Sequence, residues 1–316
     1  MAAAGFDIHP EMLAMLAAFD AVPEGETMAE KRANWRRFCV ATGQPRPGGM
    51  KVEDGAFGGP AGDVPIRVYR PAGVAPPAPC ILYIHGGGFM TGDLDTNDTI
   101  AWGLAEGTGC VVVSTDYRLA PEDPYPAAFD DCYAALCHVA GNARALGIDA
   151  GRIGVCGDSA GGNLTAAVSL AARDRGGPKV AAQAILYPGL RTAGTLPSFT
   201  TYAEAPIQST AATRKYRLAY MPDPATHGDA YACPLMAEHY GELPPALVHV
   251  AEIDAARDEG KLYAERMAAA GVEVTYRVAE RMIHSFMRAR FNGPAVRAEF
   301  DFVCGFLVSH LQPASD

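Results

Sequence analysis

Between a short β-branched run and an Ala-rich apolar segment the chain carries Gly157-Asp158-Ser159-Ala160-Gly161-Gly162. Ile153-Gly154-Val155-Cys156 reads as a strand, and apolar positions from Ala160 to about Arg173 recur at helical spacing, so Ser159 stands at a strand-to-helix turn. Glycines on either side lack Cβ atoms, which lets the backbone bend sharply and lift the serine hydroxyl above the sheet edge. The same turn aims backbone N–H groups and the positive end of the following helix at the space beside Ser159, where an anion can form. A Gly-rich turn with a merely solvated serine has the same letters. What decides between the two is the rest of the chain.

The order of elements predicts the fold class. Pro10 to Asp20 and Thr27 to about Ala41 read as helices, the second with Thr27 and Glu30 as a capping box. Lys51 to Phe57 and Val64 to Tyr69 read as an antiparallel strand pair. Near-continuous apolar strands follow at Cys80 to Ile84, Cys110 to Thr115, the serine strand, Val180 to Tyr187, Ala246 to Ala251 and Glu273 to Val278. Helices alternate with them at Ala127 to Leu146, after Ser159, at about Ala255 to Ala270 and at about Val296 to Leu311. This is the pattern of an α/β fold with a mostly parallel sheet covered by helices on both faces. The stretch from Gly189 to Pro224, rich in Thr, Ser, Ala and Tyr with a helix near Ser209 to Tyr220, interrupts the alternation and reads as an insertion over the strand ends. Residues 1–49 and 189–224 are expected to form a helical cap, and residues 50–188 and 225–316 the catalytic domain.

Composition excludes several function classes. Lys and Arg number 26 against 36 Asp and Glu, a net charge of −10 that disfavours a nucleic-acid or anionic-membrane surface. The eight cysteines lack C-x-x-C spacing, and Cys80, Cys110 and Cys156 fall at buried strand positions, so they read as free core thiols of a reducing, cytoplasmic compartment with no metal site. No stretch reaches the roughly 18 apolar residues of a membrane span, and the N-terminal residues lack the pattern of a signal peptide.

A second motif, His85-Gly86-Gly87-Gly88-Phe89, follows the third strand. Three successive glycines are entropically unfavourable unless exposed backbone N–H groups are needed, and a tetrahedral oxyanion above Ser159 needs them, with the N–H of Ala160 as a further donor. His85 itself reads as a residue that holds this loop. The serine requires a base. Of the histidines downstream, His249 falls mid-strand, His227 and His239 in the insertion or its exit and His310 in the last helix, whereas His284 sits in the loop from Glu280 to Phe286 after a strand. For the acid, Asp254 directly follows a strand, with Glu252 and Asp258 as rivals and a helix N-cap as its plain structural role.

His85-Gly86-Gly87-Gly88-Phe89, Asp116-Tyr117-Arg118-Leu119-Ala120-Pro121-Glu122, Gly157-Asp158-Ser159-Ala160-Gly161-Gly162 and Asp254-x-x-Arg257-Asp258-Glu259-Gly260 together resemble the hormone-sensitive lipase family of α/β-hydrolases, its bacterial carboxylesterases in particular. The resemblance implies a triad of Ser159, Asp254 and His284, an oxyanion hole from the N–H groups of Gly87, Gly88 and Ala160, and no cofactor. Asp116, Arg118 and Glu122 read as scaffolding. The chain departs from the family at Ala255-Ala256, where Pro-Leu is common, and at Ser285, where Gly is common. The expected activity is hydrolysis of short- to medium-chain acyl esters, with a small-molecule ester as partner and the oligomeric state open, a homodimer included. A ligand-binding protein on a hydrolase scaffold, or an amide or lactone hydrolase, is the alternative.

Overall fold

The computed structural model describes residues 5–191 and 194–312. Residues 1–4, 192–193 and 313–316 of the expected cap and catalytic segments lie outside the described residues. Eight strands form one sheet: β1 (Lys51–Gly59), β2 (Gly62–Arg70), β3 (Ala78–Ile84), β4 (Val111–Thr115), β5 (Ile148–Asp158), β6 (Ala182–Leu186), β7 (Ala246–Ile253) and β8 (Val274–Ile283). Their order is β1-β2-β4-β3-β5-β6-β7-β8. Only β1–β2 and β2–β4 pair antiparallel, and every pairing from β4 through β8 is parallel. The helices are α1 (Leu13–Asp20), α2 (Met28–Thr42), α3 (Asp98–Thr108), α4 (Ala127–Gly141), α5 (Ala143–Leu146), α6 (Ala160–Asp174), α7 (Ser198–Thr201), α8 (Thr210–Tyr220), α9 (Arg257–Ala269) and α10 (Pro294–Leu311). The mostly parallel sheet flanked by helices is the architecture that the alternating apolar strands predict.

Burial explains why the central strands read as continuous apolar runs. Every residue of β3, β4 and β6 is buried, because helices cover both faces of the sheet. One large apolar cluster gathers Ile81, Tyr83, Val112 and Cys156 with residues of α3 and α10, and a second gathers Leu82, Val113, Val155 and Leu164 with residues of α4 and α6. At the N-terminal end, the capping box of α2 forms as its letters predict: the Glu30 N–H donates to Thr27 Oγ1 at 3.2 Å and the Thr27 N–H to Glu30 Oε2 at 2.9 Å. Met12, Met15 and Phe38 turn into the core, leaving Phe19 and Trp35 only partly buried.

Three local readings are corrected. Strand β8 runs to Ile283 rather than ending near Val278, so His284 follows a strand directly instead of standing within a loop. The expected helix from Ala127 to Leu146 breaks at Asn142 into α4 and α5. Helix α3 has no counterpart in the sequence reading, because Gly103 and Gly107 depress its helix propensity. Both glycines serve packing: a Cβ at Gly103 would lie 2.2 Å from the Arg290 guanidinium, and one at Gly107 would lie 2.7 Å from Cys304 Sγ on α10. Among the described residues no helix is long and apolar enough to cross a membrane.

An ion cluster fixes α10 to the sheet. Glu299 of α10 takes two hydrogen bonds from Arg277 of β8, at 2.6 and 2.9 Å, and its Oε2 lies 2.8 Å from Nε2 of the buried His249 on β7. Burial alone would raise the Glu299 carboxyl, but His249 and Arg277 outweigh it and hold the group at about 2. A depressed carboxyl contributes stability that is complete above its ordinary value of 4.5 and is lost as the pH falls toward about 2. Glu299→Gln should therefore lower the urea midpoint more at about pH 7 than at about pH 3. An equal loss at both pH values would contradict the cluster's role.

Candidate active site

The site is assembled from residues that each come directly after a parallel strand. His85 follows β3, Ser159 follows β5, Asp254 follows β7 and His284 follows β8. The carboxyl ends of neighbouring parallel strands lie side by side, so four segments far apart in sequence meet at one edge of the sheet.

Ser159 occupies the junction of β5 and α6 with φ 57° and ψ −116°, a conformation that few residues other than glycine adopt without strain. The glycines around it have a measurable reason. A Cβ on Gly157 would lie 2.3 Å from the Gly161 carbonyl oxygen, and one on Gly161 would lie 1.9 Å from the Ile84 carbonyl oxygen. Tight backbone contact of the elbow with itself and with the end of β3 holds the serine in place. Its hydroxyl lies 2.8 Å from His284 Nε2, and His284 Nδ1 lies 2.6 Å from Asp254 Oδ2. A carboxylate only accepts, so Nδ1 carries the proton and Nε2 presents its lone pair to Ser159. Asp254 and His284 are both buried, and the edge of the Tyr187 ring packs against the imidazole at 4.9 Å between centroids.

The structure separates Asp254 from its rivals. Glu252 turns aside and accepts the Arg281 N–H at 2.7 Å, while Asp258 lies in the first turn of α9 and accepts the Ser198 N–H at 3.0 Å. Asp254 is not the helix N-cap that its position also suggested: the N-cap of α9 is Ala256, whose own N–H donates to the other Asp254 oxygen at 2.8 Å. Ser285, where the family commonly has Gly, lies in the left-handed region at φ 69°, which accounts for a glycine preference there. The remaining histidines lie elsewhere: His249 in the ion cluster, His227 against the Met221 carbonyl, His239 with its carbonyl on Arg173, and His310 on α10 near Glu273.

The three-glycine loop folds over Ser159. Gly87 and Gly88 have φ 134° and φ 62°, and no hydrogen bond among the described residues uses either N–H. The loop is locked to the elbow by Asp158, which sequence reasoning left unassigned. Oδ1 of this buried carboxylate accepts the Gly86 N–H at 3.0 Å and the Tyr83 hydroxyl at 2.6 Å. Burial, and then the Asp158 charge, push the Tyr83 and Tyr187 phenols well above the usual tyrosine range, so both remain donors. Gly86 leaves no room for a side chain, since a Cβ there would lie 2.6 Å from the Asp158 carbonyl oxygen and 3.1 Å from Ser159 Cβ. His85 stacks on Tyr117 at 4.3 Å, and its carbonyl accepts the Tyr117 hydroxyl at 2.7 Å, consistent with a holding role. Farther along that turn, Arg118 pairs with Asp131 and Glu122 with Arg32 of α2.

Above Ser159 and His284 lies a cavity of only about 30 Å³. Phe19 and Trp35 wall it from the N-terminal helices, and Ile207, Gln208 and Tyr216 from the 189–224 segment. Tyr216 lies directly over the three-glycine loop, where a Cβ on Gly88 would meet its ring at 2.5 Å. Ile207 has φ 67°, a genuine outlier for a β-branched residue. A wider groove of about 920 Å³, lined by Arg173, His239, Tyr240 and Arg266 among others, includes none of these residues and is open to solvent.

Residues 81–288 match a family model described as the alpha/beta hydrolase fold. The chain is similar to the esterase LipI of Mycobacterium tuberculosis, with 43% identity over 247 residues that cover 77% of each chain. It is similar also to the carboxylesterase NlhH of the same organism, at 44% identity over 74% of each chain. Among solved structures, a thermostable esterase from Pseudomonas putida superposes with a TM-score of 0.91 at 32% identity, covering 97% of this chain and 98% of that one.

The Asp158 lock generates a stability ranking. Asp158→Ala leaves the Gly86 N–H and the Tyr83 hydroxyl without their acceptor, at about 1–3 kcal/mol for each buried group left unpaired. Asp158→Asn keeps an oxygen toward both donors and should cost less. Urea denaturation of the two variants checks the order, and an Asn variant no more stable than the Ala variant would contradict it.

Proposed function

This chain belongs to the hormone-sensitive lipase family of α/β-hydrolases, and from that membership we propose that it hydrolyses short- to medium-chain carboxylic esters through an acyl-enzyme on Ser159. The observation that carries the reading is the unbroken line from Ser159 Oγ through the His284 ring to Asp254 Oδ2, at 2.8 and 2.6 Å. Ser159 Oγ attacks the ester carbonyl while His284 Nε2 takes its proton; Asp254 keeps the ring in the required tautomer and stabilises the imidazolium. The N–H groups of Gly87, Gly88 and Ala160 receive the oxyanion. His284 then protonates the departing alkoxide, and water, activated by the same imidazole, releases the acid and restores the serine. The reaction runs on the chain's own groups.

Ester rather than amide or lactone hydrolysis is favoured by the esterases and carboxylesterase to which the chain is similar. A binding-only scaffold is disfavoured by the complete Ser159–His284–Asp254 line. The N-terminal helices and the 189–224 segment together act as the cap, a role supported by the residues that each contributes to the cavity wall. Among the described residues no disulfide joins the eight cysteines, seven of them buried, which supports a reducing compartment such as the cytoplasm.

The cavity limits the substrate. About 30 Å³ is room for roughly one water molecule, so Tyr216, Ile207, Phe19 or Trp35 must shift to admit an acyl chain. Each methylene buried there adds about 0.8 kcal/mol until the wall is reached, and further length displaces packed side chains at about 1–3 kcal/mol.

Two measurements test this. Along a series of p-nitrophenyl esters, kcat/KM should rise and then fall with acyl length. Rates that climb through the long-chain esters, or jump when the substrate forms an emulsion, would identify a true lipase instead. Separately, Asp254→Asn should lower kcat by about 10⁴-fold through the wrong imidazole tautomer, with Asp258→Asn comparatively mild. The reverse ranking would assign the acid to Asp258.

A further inference from the structure

Helix α9 starts immediately beyond the triad acid without a capping side chain of its own, since its N-cap is Ala256. The first turn of a helix leaves N–H groups that need acceptors from outside it. One such acceptor comes from a distant segment: the Asp258 N–H donates to Ser198 Oγ at 3.2 Å, across 60 residues of chain. The same hydroxyl donates to the Ala255 carbonyl at 2.8 Å, and the Ser198 N–H returns to Asp258 Oδ2 at 3.0 Å. Ser198 therefore closes both ends of the Ala255 to Asp258 turn with one fully buried hydroxyl.

The other side of the Ala255 peptide is held from the same segment, its N–H donating to the Gln208 carbonyl at 3.3 Å. Phe199, next to Ser198, packs on Ala255 and Ala256 in a separate small apolar cluster. Beyond them Arg217 of α8 pairs with Glu259 at 2.5 Å, and the Leu190 N–H meets the same carboxylate oxygen at 2.7 Å. The turn that aims Asp254 at His284 is thus gripped along its length by the segment between β6 and β7. Strand β7 delivers Asp254 to the end of the sheet, and this grip holds the turn that follows it.

We propose that Ser198 is a positioning residue for Asp254, acting through the Ala255 to Asp258 turn. Without its hydroxyl the buried Ala255 carbonyl and the half-buried Asp258 N–H lose this partner, and the turn relaxes toward others. Asp254 accepts the Ala256 N–H through one oxygen and faces His284 through the other, so a shift of the turn pulls the second oxygen away from Nδ1. The consequence falls on turnover rather than on substrate binding, because Ser198 is not among the residues that line the cavity. The proposal rests on the reading of Ser159, His284 and Asp254 as a triad.

The test uses the full chain with Ser198→Ala, and Asp254→Asn as reference. Two readouts respond to orientation of the acid and not to stability alone: the split between kcat and KM for p-nitrophenyl acetate, and the far-downfield proton NMR resonance of the His284 Nδ1–H bonded to Asp254. Ser198→Ala should lower kcat by about 10- to 100-fold, the scale of a slightly misplaced catalytic group, with KM unchanged within about twofold and the resonance shifted or broadened. If that variant does not fold, Ser198→Cys keeps nearly the same volume with a weak donor and should show the same signs in smaller degree. A folded variant with wild-type kcat and an unmoved resonance, even with a lowered melting temperature, overturns the proposal. Loss of the resonance in Asp254→Asn but not in the Ser198 variant overturns it while the triad stands; an unchanged resonance in both overturns the two together.

Discussion

Close approach of backbone to backbone is the constraint on which this site depends. Ser159 sits in a strained conformation, and strain of that kind persists only where the surroundings leave the chain no other path. Here the surroundings are peptide groups. The start of α6 presses on the end of β3 so closely that a methyl group on Gly161 would overlap the Ile84 carbonyl, and Gly86 lies equally hard against Asp158. The Ser159 elbow and the glycine loop are therefore two faces of one contact. Asp158 completes the joint from beneath, its carboxylate on the elbow accepting from Tyr83 and Gly86 at the end of β3 and the start of the glycine loop.

The same logic places Asp254 and His284. Parallel strands bring Ser159, Asp254 and His284 to neighbouring positions at one sheet edge, but a sheet edge sets positions only to within a residue or so. The angles come from contacts outside the sheet: the Tyr187 ring beside the imidazole, the Asp254 grip on the start of α9, and the segment between β6 and β7 that holds the turn after Asp254. That segment also supplies Ile207, Gln208 and Tyr216 to the cavity wall. One piece of chain both encloses the site and bears on the orientation of a group inside it.

Much of this was legible in the letters. Strands buried on both faces have near-continuous apolar sequences, so the central strands and their parallel arrangement were readable before any contact was known, while the more exposed β1 was readable as an antiparallel pair with β2 from the glycine-rich stretch between them. Ser159 and the glycine loop were visible because glycine runs mark close approach, and Asp254 and His284 because they follow apolar strands. What the letters concealed were features set by tertiary contact. Helix α3 was hidden by two glycines whose purpose is to admit Arg290 and Cys304. The last residues of β8 were hidden because its burial is irregular, with exposed positions such as Glu280 and Arg281 inside the strand. Asp158 is adjacent to the nucleophile, yet its partners Tyr83 and Gly86 lie more than 70 residues earlier, and Ser198 caps a helix 60 residues later. Signals of that kind have no local pattern.

The claim at the centre of the account is that Ser159 alone becomes covalently bonded to substrate. Treating the native protein with a p-nitrophenyl alkylphosphonate and locating the adduct by peptide mass spectrometry tests it most directly. The account predicts release of one p-nitrophenol per chain, complete loss of esterase activity and a phosphonyl group on the peptide containing Ser159. Full inactivation with the adduct on another residue, or esterase turnover that survives stoichiometric labelling of Ser159, would contradict it.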